Sequence, residues 1–489
     1  MGNRMGQLGL LVGATCLVVI TTIAAINVPL VATGLVGLVL LLAFSRRVDG
    51  WRWMLALTMS LLVCASSNVP ALVEASFYPR YAAVAGLVLW GLCLPGRTPT
   101  RTDVWTRVFV AALWAMGGLA TVSFAWSVVP METLQRGVAL LLLAALVHVL
   151  VQRRWPDRAV MMADLRVVYL VLAASIVVSL GIGLVDGSLV AATSSVTRFQ
   201  GLYNNPNMLG IVCALTIPLG WAVYRQSRRH IALVGMVPAA ASLLLSQSRT
   251  ALIAVLVGAL WLVLRYGLGR MVRLAAGVTA LLLVAHLLNL LPTIFAAPWM
   301  RQFVLRFTDP TDGDLSNGRT QMWQTTIDLW WQNHPMQGFG YASRNHLFEL
   351  AGADEFFGTA GVSVVHNSYL QLLLELGLAA VVPLVLLLVA AGRVVLRAPV
   401  RRADAGLVWL VVTGLLIQVT ESAMFGTGQT YPYVFWSVVA AALLHLPKRP
   451  DPTDRDAAAH ANLPHTEARQ QRAGVFDDKA PRQPAGLLR

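Results

Sequence analysis

Apolar residues along this chain come in runs of about twenty, the length an α-helix needs to cross the hydrocarbon core of a bilayer. Short polar breaks separate them. The runs are centred near residues 16, 36, 62, 87, 117, 143, 175, 215, 238, 257, 284, 379, 414 and 438. The pattern predicts about 12–14 spans, an all-α polytopic membrane helical bundle. One break is far longer than the rest, from Ala297 to Val365. Inside it, Arg319 to Asn333 carries apolar residues at helical spacing, with Trp323, Trp330 and Trp331 suited to a membrane interface. Ser316 or Asn317 would cap that helix, and "HPMQGFG" would end it with proline and glycine. From Lys448 the apolar pattern stops, and the tail is polar and rich in Ala, Pro and charge. The expected organisation is therefore a membrane domain over 1–447, containing a large loop at about 297–366, and a disordered tail over 448–489.

Composition agrees with the pattern: 57% of residues are hydrophobic and 12% charged, with a mean hydropathy of +0.66. A net charge of +14 raises the question of nucleic acid. The basic residues, however, fall in short clusters between apolar runs rather than on one face. The breaks "SRRVDGWR", "PGRTPTRTDVWTR", "QRRWPDR", "RQSRRH", "RYGLGRMVR", "LRAPVRR" and "PKRPDPTDR" follow every second run. By the positive-inside rule they lie in the cytoplasm with both termini, and the large loop faces outward. The first run follows "MGNRMGQ" without a small-residue cleavage site and is read as a span. Cys16, Cys64, Cys93 and Cys213 all lie in apolar runs, which suggests packing rather than a disulfide framework or zinc site. No Walker loop, dinucleotide fingerprint, HExxH or GxSxG element is present.

With basic residues collected on one side, polar residues on the other ask for a reason. Arg198 stands in "SSVTRFQGLYNNPNMLGI", where Asn204, Asn205 and Asn207 suit a turn and a helix cap. Arg249 stands in "LLLSQSRTALIAVLV", a very short connection between two runs. It either snorkels to head groups or offers bidentate hydrogen bonds to a phosphate. His366, with Asn367 and Ser368, opens "VVHNSYLQLLLELGL" at the outer lip of a span. It is either an interfacial polar residue or, beside arginines fit for an anion, a neutral ring able to accept a proton. Glu375 falls about two turns deeper and should be buried. Asp309, Asp312, Asp314, Asp354, Glu355 and Glu421 are scattered, without the tight pairing of a divalent-metal site.

Four segments in order, "RFQGLYNNPNMLG", "LLLSQSRTALI", "NGRTQMWQTTIDLWWQNHPMQGFGYAS" and "HNSYLQLLLELGL", resemble the O-antigen ligase and polymerase family of bacterial envelope enzymes. "SFAWSVVP", with Trp126 and Ser127, is similar to a further family element, and the resemblance spans about residues 120 to 390. It implies a C-type glycosyltransferase-like architecture in the bacterial inner membrane with the active site outside. The implied donor is an undecaprenyl-pyrophosphate-linked glycan, and the implied acceptor a lipid or glycan hydroxyl. No cofactor, metal or nucleic acid is implied. The family's catalytic histidine falls on His366, and its pyrophosphate-binding arginines on Arg198, Arg249 and Arg319. Asn367 and Asn207 join the substrate-binding set. The family's ligase motif is matched at His366, Asn367 and Gly377 but carries Ala380 at its last position. The alternative reading, a solute transporter, would call for internal repeats; none is evident between the two halves.

Overall fold

The computed structural model describes residues 49–94, 103–189, 198–227, 230–266, 319–344, 346–347, 365–398 and 404–446. All belong to one compact unit, Met1–Leu446. The runs centred near residues 16, 36 and 284, the caps at Ser316 and Asn317, and the tail lie outside the described residues. So do five of the six outer acidic residues, Glu421 being the exception.

The described chain is helical: α1 (Gly50–Cys64), α2 (Pro70–Ser76), α3 (Pro79–Cys93), α4 (Val104–Val122), α5 (Pro130–Val149), α6 (Arg158–Val185), α7 (Pro206–Ser227), α8 (Ile231–Leu245), α9 (Arg249–Tyr266), α10 (Arg319–Asn333), α11 (Ser368–Leu376), α12 (Val381–Arg397), α13 (Asp404–Thr420) and α14 (Thr430–Leu444). Among the described residues there is no β-strand, only a single antiparallel bridge between Ser67 and Tyr203. Five continuous helical stretches among the described residues are long and apolar enough to cross a membrane: Val104–Ala125, Pro130–Arg154, Arg158–Val185, Pro206–Ser227 and Ser368–Arg397. The shorter apolar helices Gly50–Cys64, Ala232–Leu245, Asp404–Thr420 and Thr430–Leu444 accompany them. The chain is thus an all-α, polytopic membrane protein.

Burial follows composition. α14 has hardly a polar side chain and is buried on every side, as an all-round apolar helix at the middle of a bundle should be. Its Trp436 packs on Phe109, Phe425 and Phe435 while its indole N–H donates to the Met424 carbonyl at 3.0 Å. α7 is nearly as enclosed. Because helices alternate in direction along the chain, the bundle has two distinct ends. One carries the Arg-rich connections. There the fully buried Asp164 accepts from Arg52, from two nitrogens of Arg154 and from the Trp155 indole, all at 3.0–3.3 Å. Arg158 pairs with Asp404 at 2.6 Å beside it. These arginines therefore knit α1, α6 and α13 together as well as marking the end of the bundle.

Candidate functional site

The opposite end gathers the segments singled out by sequence. Arg198 comes just before a turn in which Gly201, at φ +55°, lies against Ser179. Asn205 then caps α7 by accepting from the Met208 N–H at 2.8 Å. With the cap supplied there, Asn207 is free for another task. Its Oδ1 accepts from an Arg198 Nη, and its Nδ2 donates to Glu421 Oε1 at 3.1 Å. Arg198 Nε also donates to the Ser246 carbonyl at 2.9 Å, in the tight turn that joins α8 to α9. Arg249 is the first residue of α9, three positions after Ser246. Its neighbour Thr250 bonds Thr420 at 2.8 Å, one residue before Glu421. Arg249 therefore borders the same centre.

Arg319 opens α10 and extends Nη2 to Glu421 Oε1 at 3.0 Å. His366 Nδ1 lies 3.4 Å from Glu421 Oε2. One carboxylate, only 7% exposed, thus binds three of the predicted residues directly and a fourth through Asn207. A carboxylate cannot donate, so the proton of a neutral His366 ring sits on Nδ1 and leaves Nε2 as the acceptor. The backbone of His366 is held at φ +51°, a left-handed conformation costly for a residue with a Cβ. Both neighbours are fixed: the Val365 carbonyl accepts from the Trp323 indole at 3.0 Å, and the Asn367 N–H donates to the Ser422 hydroxyl at 3.2 Å.

Asn367 caps α11, its side-chain oxygen accepting from the Tyr369 and Leu370 N–H groups at 2.9 and 3.1 Å. Any contact with substrate falls to its Nδ2. Ser368, the first residue of α11, turns toward the segment after α13. Its single hydroxyl proton is shared between Gln418 Oε1 and the Glu421 carbonyl, and its oxygen accepts from the Ala423 and Met424 N–H groups. Glu375 is buried as expected, with Oε1 accepting from Gln371 at 2.9 Å.

A second assembly supports the first. α11 stops at Gly377, whose φ of +62° and close approach to the Met336 backbone leave no place for a Cβ. Residues 335–340 run alongside: Phe339 and Gly340 donate to the Leu374 and Glu375 carbonyls, and Leu378 and Ala379 donate back to Pro335 and Met336, at 2.8–3.1 Å. "SFAWSVVP" closes the other side. The Trp126 indole donates to the Gln337 carbonyl at 3.1 Å, and the Tyr341 N–H donates to the Ser123 hydroxyl at 3.0 Å. Of the tryptophans expected at the membrane interface, Trp323 and Trp330 pack against this platform and Trp331 is exposed. Ala380, the motif's departure, is buried just beyond Gly377.

The arrangement offers a proton acceptor, a carboxylate that orients it and three guanidinium groups converging on one end of a membrane bundle. Sequence reading supplied His366 and the arginines but counted Glu421 only as a dispersed acid. Its sole sequence signal is its place at the end of an apolar run, where a carboxylate is an exception. Residues 231–385 match the family model described as O-antigen ligase, which supports the resemblance to the O-antigen ligase and polymerase family. Arg249, Arg319, His366 and Asn367 fall inside the match, whereas Arg198, Asn207 and Glu421 join it from outside. No curated protein matches the chain.

Proposed function

We propose that this chain, which carries an O-antigen ligase domain at residues 231–385, transfers a glycan from undecaprenyl pyrophosphate to an acceptor hydroxyl at the outer face of the bacterial cytoplasmic membrane. The observation that carries the reading is the convergence of His366, Arg319, Asn207 and, through it, Arg198 on Glu421. Nε2 of His366 takes the proton from the acceptor hydroxyl as its oxygen attacks the anomeric carbon. The bond to the pyrophosphate breaks, and its electron pair leaves with the phosphate oxygen. Arg198, Arg249 and Arg319 stabilise that growing negative charge, the role a metal ion fills in other transferases. Asn367, through Nδ2, and Asn207 hold the donor or its ligands in place. Glu421 orients the base and balances the imidazolium that forms. A lipid donor in the outer leaflet meets a site at this depth without crossing the bilayer. Ligase and polymerase share the donor and the steps; they differ in the acceptor.

The test uses purified protein in nanodiscs with an undecaprenyl-pyrophosphate glycan, EDTA present, and His366→Ala and Arg249→Ala beside the wild type. Glycan transfer and release of undecaprenyl pyrophosphate by wild type, lost in both variants, is the expected result. The acceptor found in the product distinguishes ligase from polymerase. Unchanged transfer by His366→Ala, or a strict need for added divalent metal, would sink this mechanism.

A further inference from the structure

On the Glu421 side of the bundle but apart from that centre, α3 and α5 border a groove of about 280 Å³. Phe77, Tyr78 and Tyr81 form one wall, Val138 and Leu142 extend along α5, and Arg136 stands at the rim. Tyr78 and Val138 are exposed although apolar, as suits a surface turned to lipid. Directly behind Phe77 and Tyr81 lies a second arginine, Arg80, only 3% exposed. Its guanidinium carbon sits 4.9 and 4.7 Å from the two ring centroids.

Arg80 donates to the Tyr81 hydroxyl at 3.1 Å, its buried Nε–H has no partner, and among the described residues no carboxylate forms an ion pair with it. Arg136 reaches Glu132 only at 3.5 Å, with both side chains more than a third exposed, so that pair neutralises little. Glu375, a buried acid within electrostatic reach of Arg136, makes no ion pair with either arginine among the described residues. Yet the two arginines converge: a methyl group built on Gly428 would stand 3.2 Å from Arg136 Nη1 and 3.2 Å from Arg80 Nη2. Two like charges turned toward one point, one of them buried without a counter-ion, are costly unless an anion arrives from outside. The apolar groove running down a span from that point fits a hydrocarbon chain.

We propose that the groove binds an anionic phospholipid, one whose phosphate charge is not cancelled by a cationic head group, with that phosphate on Arg136 in the field of Arg80 and its chain along Val138 and Leu142. Head and chain are both required. A guanidinium gives a phosphate bidentate, charge-assisted bonds, and the groove supplies the apolar contact that a free ion would not use. The head group then borders Gly428, in the same connection between α13 and α14 that holds Glu421. Thr427 of that connection also donates to the Arg136 carbonyl at 3.4 Å.

Delipidated full-length protein in detergent is titrated with fluorescent phosphatidylglycerol or phosphatidylcholine, and with inorganic phosphate, following binding and the thermal unfolding midpoint. The expected result is a preference of about tenfold for phosphatidylglycerol. Arg136→Gln, at a partly exposed position, should reduce the preference to nearly nothing, Val138→Trp should weaken both lipids, and Arg249→Ala should leave binding unchanged. Equal binding of the two lipids by wild type would overturn the proposal. So would a preference that survives Arg136→Gln or disappears in Arg249→Ala, and so would inorganic phosphate shifting the midpoint as much as phosphatidylglycerol.

Discussion

Two oxygens of Glu421 hold partners drawn from α7, α10 and the lip of α11, and that economy has a kinetic signature. Glu421→Gln keeps the shape but replaces one acceptor oxygen with a donor that must face Arg319 or His366. Transfer should fall by about 10²–10⁴-fold, as when a base loses its orienting carboxylate. Groups that act as a unit are not additive: the His366→Ala, Glu421→Gln double variant should be no slower than the worse single one, measured as initial rates of undecaprenyl pyrophosphate release. A double variant slower by the product of both effects would show two independent roles. His366 was legible in sequence because Asn367, Ser368 and the apolar run after it mark a helix start. Glu421 was not, since its partners lie 55, 102 and 214 positions away and no periodicity links residues at such separations.

At the scale of elements, the lip that carries His366 stands on the paired segments 335–340 and 374–379. "HPMQGFG" announced a helix stop correctly, and Arg319 to Asn333 formed the helix its pattern predicted. What the stop packs against is a tertiary fact without a local signal, because the pairing uses backbone groups that every residue possesses. Gly377 and Gly338 both have positive φ, and each presses on the other segment's backbone. Gly377→Ala therefore meets strain and collision together. It should lower stability by about 2–4 kcal/mol, read as a lower thermal unfolding midpoint in detergent. Transfer by the remaining folded protein should fall as well, since α11 would shift under His366.

For the whole molecule, the alternation of basic and non-basic breaks predicts an antiparallel bundle with one arginine-rich end, and among the described residues Arg52, Arg154 and Arg158 do gather around Asp164 and Asp404. It did not foretell that Asp164 and Asp404 would lock those arginines into the fold. A cysteine-free background with single cysteines at Ser127 or Asp157 tests sidedness. A membrane-impermeant thiol reagent on intact cells should label the first and spare the second; the reverse would invert the topology. The same end carries a pH sensitivity. Burial, with Arg158 adding to it, holds the pKa of His445 below its ordinary value, against opposing pulls from the Trp155 carbonyl and from Asp404. The folded protein thus prefers the neutral ring. Its contribution is complete above about pH 6.5 and is lost as the pH falls below that, where the unfolded chain takes the proton first. The unfolding midpoint should drop between pH 7 and pH 5, and His445→Gln should drop less.

One consequence of the Glu421 junction concerns the order in which the protein is made. Synthesis proceeds from the N-terminus, so Arg198, Asn207, Arg319 and His366 all leave the ribosome before the carboxylate that joins them. Until the connection after α13 has threaded into place, His366 has no group to orient it and Arg319 no partner to hold it. On the proposed function, a half-inserted nascent chain would meet its lipid-linked donor with its arginines but without the junction that orients His366. On that reading, transfer would begin only once the last turns of the bundle are in place.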